Sequence, residues 1–277
     1  MVMTNKLFHL HMVSDSTGDT LHMVTRASLV QFDNIDATEH IWSMVRNKDQ
    51  VREVLDSLRL NPGFVLYTIV DPGLRDLLEE GCQDLKVPCI PILDTIVNAL
   101  GKYLDIETHA APGRQHVLDA DYFGRIEAMH FVLNHDDGQS TRTLEQADVI
   151  IVGVSRTSKT PTCIYLANRG IKAANVPIVP GCELPAELMA AEKPLIIGLT
   201  NDARQLVQIR RNRLRSLGQD EETDYIDIAT VSREIRDAKR LYAQRGWPVI
   251  DVTRKSIEEV SANILQLYTH RLEKLSD

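Results

Sequence analysis

The sequence predicts an α/β protein, an N-terminal doubly wound α/β domain followed by a P-loop kinase-like α/β domain. Three observations predict it. Apolar, β-branched runs of buried-strand type alternate with helical spacing along most of the chain. One such run is followed at residues 153–160 by Gly-Val-Ser-Arg-Thr-Ser-Lys-Thr, and then by a helical pattern. A length of 277 residues is long for one core and comfortable for two. The polar stretch 138–146 is the expected junction, giving domains 1–145 and 146–277.

Composition narrows the function classes. Hydrophobic content of 43% and charged content of 25% are globular values. A net charge of -8 and a pI of about 5.6 argue against a broad surface for duplex nucleic acid. No apolar run approaches the roughly 20 residues that cross a bilayer, and residues 1–6 lack the apolar core of a secretory signal. Cys82, Cys89, Cys163 and Cys182 form no Cys-x-x-Cys pair and no zinc-finger spacing. They read as buried thiols in a reducing compartment, so a soluble cytoplasmic protein is expected, without nucleic acid or membrane as partner.

In chain order, residues 8–13 predict a strand, followed by the turn Ser14-Asp15-Ser16-Thr17-Gly18. Leu21, Val24, Leu29, Val30 and Phe32 suit the buried side of the next helix. Helix amides after such a turn can receive a phosphate, or Ser14, Ser16 or Asp19 can simply cap them. Residues 39–45 predict a strand and 49–60 a helix stopping at Asn61-Pro62-Gly63. Residues 64–70 are a buried-strand run, and Asp71-Pro72-Gly73 opens a helix reaching Gly81. Pro88 and Pro91 push the short strand at 87–93 to an edge or a sheet end. Asp94 then caps a helix through Ile96, Val97 and Leu100.

An exposed loop is expected over 108–114 and a helix over 121–133, ending in Asn-His-Asp-Asp-Gly-Gln. Asp136 and Asp137 beside His135 can bind a metal or position a nucleophile. A solvated glycine turn accounts for the same residues.

Residues 147–152 predict the strand that feeds the central loop. Gly153, Val154, Ser155, Arg156, Thr157, Ser158, Lys159 and Thr160 match Gly-x-x-x-x-Gly-Lys-Ser/Thr, with Ser158 in place of the second glycine. Successive backbone N–H groups and the helix N-terminus behind them make a concave positive site for phosphate oxygens. Lys159 would reach the outer phosphates, and the Thr160 hydroxyl would hold Mg2+. Pro161 sits where a first helical turn tolerates it, and Asn168-Arg169-Gly170 stops the helix.

Strands are expected at 176–179 and 194–199, with a short helix at 185–191 between them. Thr200-Asn201-Asp202 caps a helix containing Arg204, Arg210, Arg211, Arg213 and Arg215. At 100° per residue, Arg204, Arg211 and Arg215 share a face. Such a cluster can neutralise phosphate charge; a solvated face laced with ion pairs is the plainer reading, though Asp202, Glu221 and Glu222 are few partners. Residues 246–252 predict the last strand, and Ser256 with Glu259 a capping box before the last helix. Ile257, Val260, Ile264 and Leu267 line that helix's buried side.

Taken together, residues 13–18, 71–74, 136–138, 153–161 and 248–253 resemble the pyruvate, phosphate dikinase regulatory proteins, a family of bifunctional protein kinases and phosphorylases. The match runs in order along nearly the whole chain, and Gly-Val-Ser-Arg-Thr-Ser-Lys-Thr-Pro is its most specific part. The resemblance implies two opposed reactions on the dikinase. ADP donates its β-phosphate to a threonine, inactivating the dikinase when its neighbouring catalytic histidine is phosphorylated. Inorganic phosphate then attacks the phosphothreonine, releasing pyrophosphate and restoring activity. A sister family regulates phosphoenolpyruvate synthase; Ser-Asp-Ser-Thr-Gly and the Thr-Ser before Lys159 look more like the dikinase branch.

The residues and the resemblance agree on nucleotide phosphates and Mg2+ at the central loop; ADP as the donor and inorganic phosphate as the second substrate are what the resemblance implies. The acceptor hydroxyl needs a base or an orienting carboxylate. Asp15, Asp136, Asp137, Asp227 and Asp251 are the candidates, with Asp137 and Asp251 carried forward. A second phosphate site would use Ser14, Asp15, Ser16, Thr17 and Gly18, or Arg211 and Arg215. A homodimer is compatible with such an enzyme. A P-loop kinase of a small metabolite and a regulator that docks without transferring phosphate are the competing readings.

Overall fold

The computed structural model describes residues 5–107, 120–218 and 223–276. The loop expected at 108–114 lies outside these residues, as do Glu221 and Glu222. The chain divides into two compact units, Met1–Val117 and Leu118–Asp277.

The first unit runs β1 (Lys6–Ser14), α1 (Asp19–Leu29), β2 (Ile35–Trp42), α2 (Lys48–Leu60), β3 (Gly63–Thr68), α3 (Pro72–Asp84), β4 (Cys89–Pro91) and α4 (Asp94–Leu104). Its sheet is parallel, in the order β2-β1-β3-β4. Val13, Val65 and Tyr67 meet α2 and α3 on one face, and Leu10, Met12 and Leu66 meet Leu21 of α1 on the other. Expected caps form at Asp71, whose carboxylate accepts the Leu74 N–H at 2.9 Å, and β4 lies at the edge.

Three local expectations are corrected. β2 begins four residues early, because an edge strand is set by pairing with β1 (Lys6 opposite Ile35) rather than by an apolar run. α1 ends at Leu29, so Val30 and Phe32 lie beyond it and are exposed. Asp94 is the first residue of α4 rather than its cap, and its carboxylate pairs with Arg75.

The second unit runs α5 (Ala120–Asn134), β5 (Val149–Gly153), α6 (Lys159–Ala167), β6 (Ala173–Pro177), α7 (Ala186–Ala190), β7 (Leu195–Thr200), α8 (Ala203–Leu217), α9 (Ile228–Arg245), β8 (Val249–Asp251) and α10 (Ile257–Ser276). The parallel order β6-β5-β7-β8 repeats that of the first sheet. Alternation decides which helices cover which face. Ile150, Val152 and Ile196 pack against α8 and α9, while Val149, Ile151 and Ile197 pack against α5, α6 and α10. The unit boundary falls at 117/118, upstream of the junction expected at 145/146. The reason is α5, whose Ala128 and Val132 are buried in the second sheet's core.

The 18-residue helix α9 was not expected, although Val231, Ile235, Ala238 and Tyr242 give it a buried stripe. Tyr242 lies across Gly198 of β7, and its hydroxyl reaches the Leu199 carbonyl at 3.1 Å. A Cβ at Gly198 would sit 2.5 Å from the Tyr242 ring. Gly198→Ala should therefore destabilise by about 2 kcal/mol through overpacking, read as a lower urea midpoint at unchanged slope. The Ser256–Glu259 capping box forms reciprocally, at 2.8 and 3.2 Å. The four cysteines carry free thiols; Cys82 and Cys163 are buried as expected, Cys89 half-buried, and Cys182 is exposed, contrary to expectation.

Candidate active site

Residues 154–158 join β5 to α6 where the strand order reverses, between β6 and β7. Ligands of parallel sheets bind outside the carboxyl ends of strands at such a switch. A Cβ at Gly153 would lie 2.8 Å from Thr157 Oγ1 and 3.2 Å from the Leu199 carbonyl, so the loop folds tightly over the strand end. Thr157 is buried and donates its hydroxyl to the Val154 carbonyl at 2.9 Å, bracing the loop internally.

Ser158 shows how the loop tolerates its departure from glycine. Its φ of 62° and ψ of 24° are left-handed, the conformation that glycine adopts freely. Arg156, at φ 70°, is left-handed too. Each costs about 1 kcal/mol, strain that persists where surroundings impose it. Ser158 is the N-cap of α6 but gives no side-chain cap bond. Anion-seeking amides are thereby kept at the start of α6.

Lys159 is 6% exposed, and its Nζ donates to the Val154 carbonyl at 3.2 Å. Burial pulls its pKa from the ordinary 10.5 down to about 8, against the upward pull of Asp137 and, less strongly, Asp136. Thr160 Oγ1 donates to Asp136 Oδ1 at 2.9 Å. Asn175 of β6 brings its Nδ2 to the same carboxylate oxygen and, at 3.0 Å, to Thr160 Oγ1. Its Oδ1 is buried without a hydrogen-bond partner.

The acidic turn is held against β6 by its neighbours. The Asn175 N–H donates to the His135 carbonyl at 3.1 Å. His135 is buried, stacks on Phe131 at 3.8 Å, and places its nitrogens 2.8 Å from the Phe131 carbonyl and 2.7 Å from Thr143 Oγ1. The histidine thus serves the turn. Asp137 follows with a left-handed backbone (φ 49°) and an exposed position, which gives the two adjacent carboxylates different surroundings.

Thr160 and Asp136 fit the hard-oxygen chemistry of Mg2+. Among the described residues, no three His, Cys, Asp or Glu side chains gather as a metal cage. A metal held here would therefore take its remaining ligands from phosphate and water, as Mg2+ does.

The other candidates are placed elsewhere. Asp251 ends β8, and its Oδ1 accepts the Thr253 N–H at 2.9 Å and the Thr253 hydroxyl at 2.5 Å. Partial burial raises its pKa, but these bonds, with Lys239 and Lys255, leave it below the usual carboxylate range. Asp227 caps α9 through the Thr230 N–H at 2.7 Å. Asp15, in the first unit, is buried, which raises its pKa, and its Oδ2 accepts the Val70 N–H at 2.8 Å.

In the same turn Ser14 Oγ accepts the Ser16 N–H at 3.1 Å and the Thr68 hydroxyl at 3.0 Å, while Thr17 donates to Asp19 at 2.8 Å. α1 starts at the left-handed Gly18 (φ 90°) with no side-chain cap, so the plain capping role for Ser14, Ser16 or Asp19 is not what forms. Arg211 and Arg215 lie on α8, half-buried and exposed respectively.

The arginine that reaches the loop is Arg210. It is 1% exposed and holds the Ser155 carbonyl through Nη2 at 3.3 Å and Nε at 3.4 Å. The sequence names Arg210 only within the arginine cluster of α8, apart from the face shared by Arg204, Arg211 and Arg215, and does not single out Asn175. An arginine on the apolar side of α8, and an asparagine inside a strand of otherwise apolar residues, were the available signals.

The family model for kinase/pyrophosphorylase matches residues 10–265. Among curated relatives, a protein of Paramagnetospirillum magneticum provisionally named pyruvate, phosphate dikinase regulatory protein is 54% identical over 269 residues, covering 97% of this chain and 86% of its own. Similarly named proteins of Rhodospirillum rubrum and Caulobacter vibrioides are 51% and 52% identical, covering 95% and 94% of this chain and 96% and 82% of theirs. With the family model matching residues 10–265 and relatives about half identical over nearly the whole chain, the chain belongs to the kinase/pyrophosphorylase family.

Proposed function

We propose that the protein regulates pyruvate, phosphate dikinase by two opposed phosphoryl transfers. It is an ADP-dependent serine/threonine protein kinase that inactivates the dikinase and a phosphate-dependent phosphorylase that restores it. The relatives' names support the target. The observation that carries the chemistry is the convergence of the buried Lys159 with the Thr160–Asp136–Asn175 cluster.

In the kinase direction, the loop amides and Lys159 bind the diphosphate of ADP. The acceptor threonine oxygen bonds to the β-phosphorus as the bridging P–O bond breaks, leaving AMP and phosphothreonine. Asp137, exposed beside Lys159, takes the hydroxyl proton. Thr160 and Asp136 would hold Mg2+, which when bound would neutralise charge on the phosphates. In the phosphorylase direction, an oxygen of inorganic phosphate attacks the phosphothreonine phosphorus. Pyrophosphate forms as the threonine P–O bond breaks, and Asp137 passes the proton it takes from the attacking phosphate to the departing threonine oxygen. The uncapped turn Ser14, Asp15, Ser16, Thr17 and Gly18 is the proposed second phosphate site.

The test is incubation of purified protein with ADP and dikinase, phosphoenolpyruvate synthase or a metabolite pool, followed by mass spectrometry of the products. Phosphate on a single dikinase threonine is expected. Modified synthase or a phosphorylated metabolite would replace this reading with one of its rivals, and tight ADP binding without any transfer would replace it with a docking regulator.

A pH dependence follows from Lys159. The free ammonium loses its proton as pH rises through about 8, whereas a bound phosphate favours the charged form. ADP affinity should fall above pH 8, approaching tenfold per pH unit, with proton uptake on binding at pH 8.5. Calorimetry in buffers of different ionisation enthalpy reads both; pH-independent affinity between 7 and 9 would contradict this role.

A further inference from the structure

Three elements of the second unit converge behind the loop on one buried guanidinium. Arg210, on α8, pairs with Glu234 of α9 through Nη2–Oε2 at 2.7 Å and Nη1–Oε1 at 3.3 Å. Their side chains are 1% and 10% exposed. Arg210 Nη1 also donates to the Tyr225 carbonyl at 3.0 Å, and the guanidinium lies 4.5 Å from the Tyr225 ring centre. The remaining donors, Nε and Nη2, take the Ser155 carbonyl. Tyr225 adds a second grip on the same residue, with its Oη 3.0 Å from Ser155 Oγ.

A buried ion pair of this kind is weak as a stability device, since apolar residues of similar volume often stabilise as well or better. Its particular consequence is geometric. A trans peptide is planar, so C=O and the following N–H point in opposite directions. Drawing the Ser155 carbonyl inward to Arg210 turns the Arg156 N–H away from Arg210. The left-handed Arg156 is a conformation that needs such external enforcement.

We propose that Arg210, clamped by Glu234 and Tyr225, is the positioning residue of the phosphate loop. It fixes the Ser155–Arg156 peptide so that the loop presents a preformed anion nest to the nucleotide diphosphate. The proposal rests on the phosphotransferase reading above.

The test uses full-length R210M/E234M, which removes both buried charges together, and R210K, which keeps the charge but loses the fork. Melting temperature, the ADP dissociation constant, and KM and kcat for dikinase phosphorylation are measured for each. The double variant should melt within a few degrees of wild type while its Kd and KM for ADP rise about tenfold and kcat stays within threefold. R210K should weaken ADP several-fold at unchanged melting temperature. If the double variant does not fold, R210K alone decides. ADP affinity within twofold of wild type in the folded variants, or a fall in kcat at unchanged KM, overturns the assignment. The Lys159→Met variant separates the two levels: a wild type with no ADP affinity for Lys159→Met to remove would sink the phosphotransferase reading instead.

Discussion

Replacing Lys159 with methionine is expected to abolish phosphate transfer from ADP while leaving the ligand-free protein at least as stable as wild type. Lys159 is 6% exposed, and its ammonium donates to the Val154 carbonyl. Its folded pKa lies below the unfolded value, so the unfolded chain holds the proton more tightly. The resulting penalty is complete below about pH 8 and fades as pH rises toward 10.5. A drop from 10.5 to about 8 corresponds to a cost on the order of 3 kcal/mol at neutral pH. Methionine fills similar space without the charge, so the ligand-free melting temperature should hold or rise. ADP should stabilise the wild type and leave the variant unmoved. A variant that melts far lower without ligand would show that Lys159 is structural.

Asp137→Asn is expected to lower phosphoryl transfer at least about 100-fold while ADP binds with near-normal affinity. Asp136 and Asp137 adjoin in sequence, but Asp136 is engaged by Thr160 and Asn175, whereas Asp137 is turned out by its left-handed backbone. Asp136→Asn should instead raise the Mg2+ concentration needed for half-maximal rate. Initial rates across an Mg2+ series distinguish the two. Asp137→Asn within threefold of wild type would move the proton-accepting role elsewhere.

Much of this was legible in the sequence because local chemistry dictated it. The buried-strand run before Gly153, the helical spacing after it and the Ser256–Glu259 box each act within a few residues, and each formed. Strand β2 was displaced because an edge strand is placed by its partner's backbone. α9 was overlooked even though its buried stripe is written in the sequence. That omission also hid Glu234, the ion-pair partner of Arg210, and made α8 look like an unpaired basic surface. Spacing cannot say which of two adjacent carboxylates faces a hydroxyl 24 residues away. That choice is made by a turn locked by His135 and packed on β6.

The most direct test of the central claim, that the loop at residues 153–160 handles the phosphate that moves, follows a labelled phosphate. ADP labelled at the β-phosphorus is incubated with wild-type protein or Lys159→Met and dikinase. The account predicts label on a dikinase threonine and unlabelled AMP with wild type, and no transfer with the variant. Label on the threonine with Lys159→Met at the wild-type rate, or transfer only from the γ-position of ATP, would contradict it.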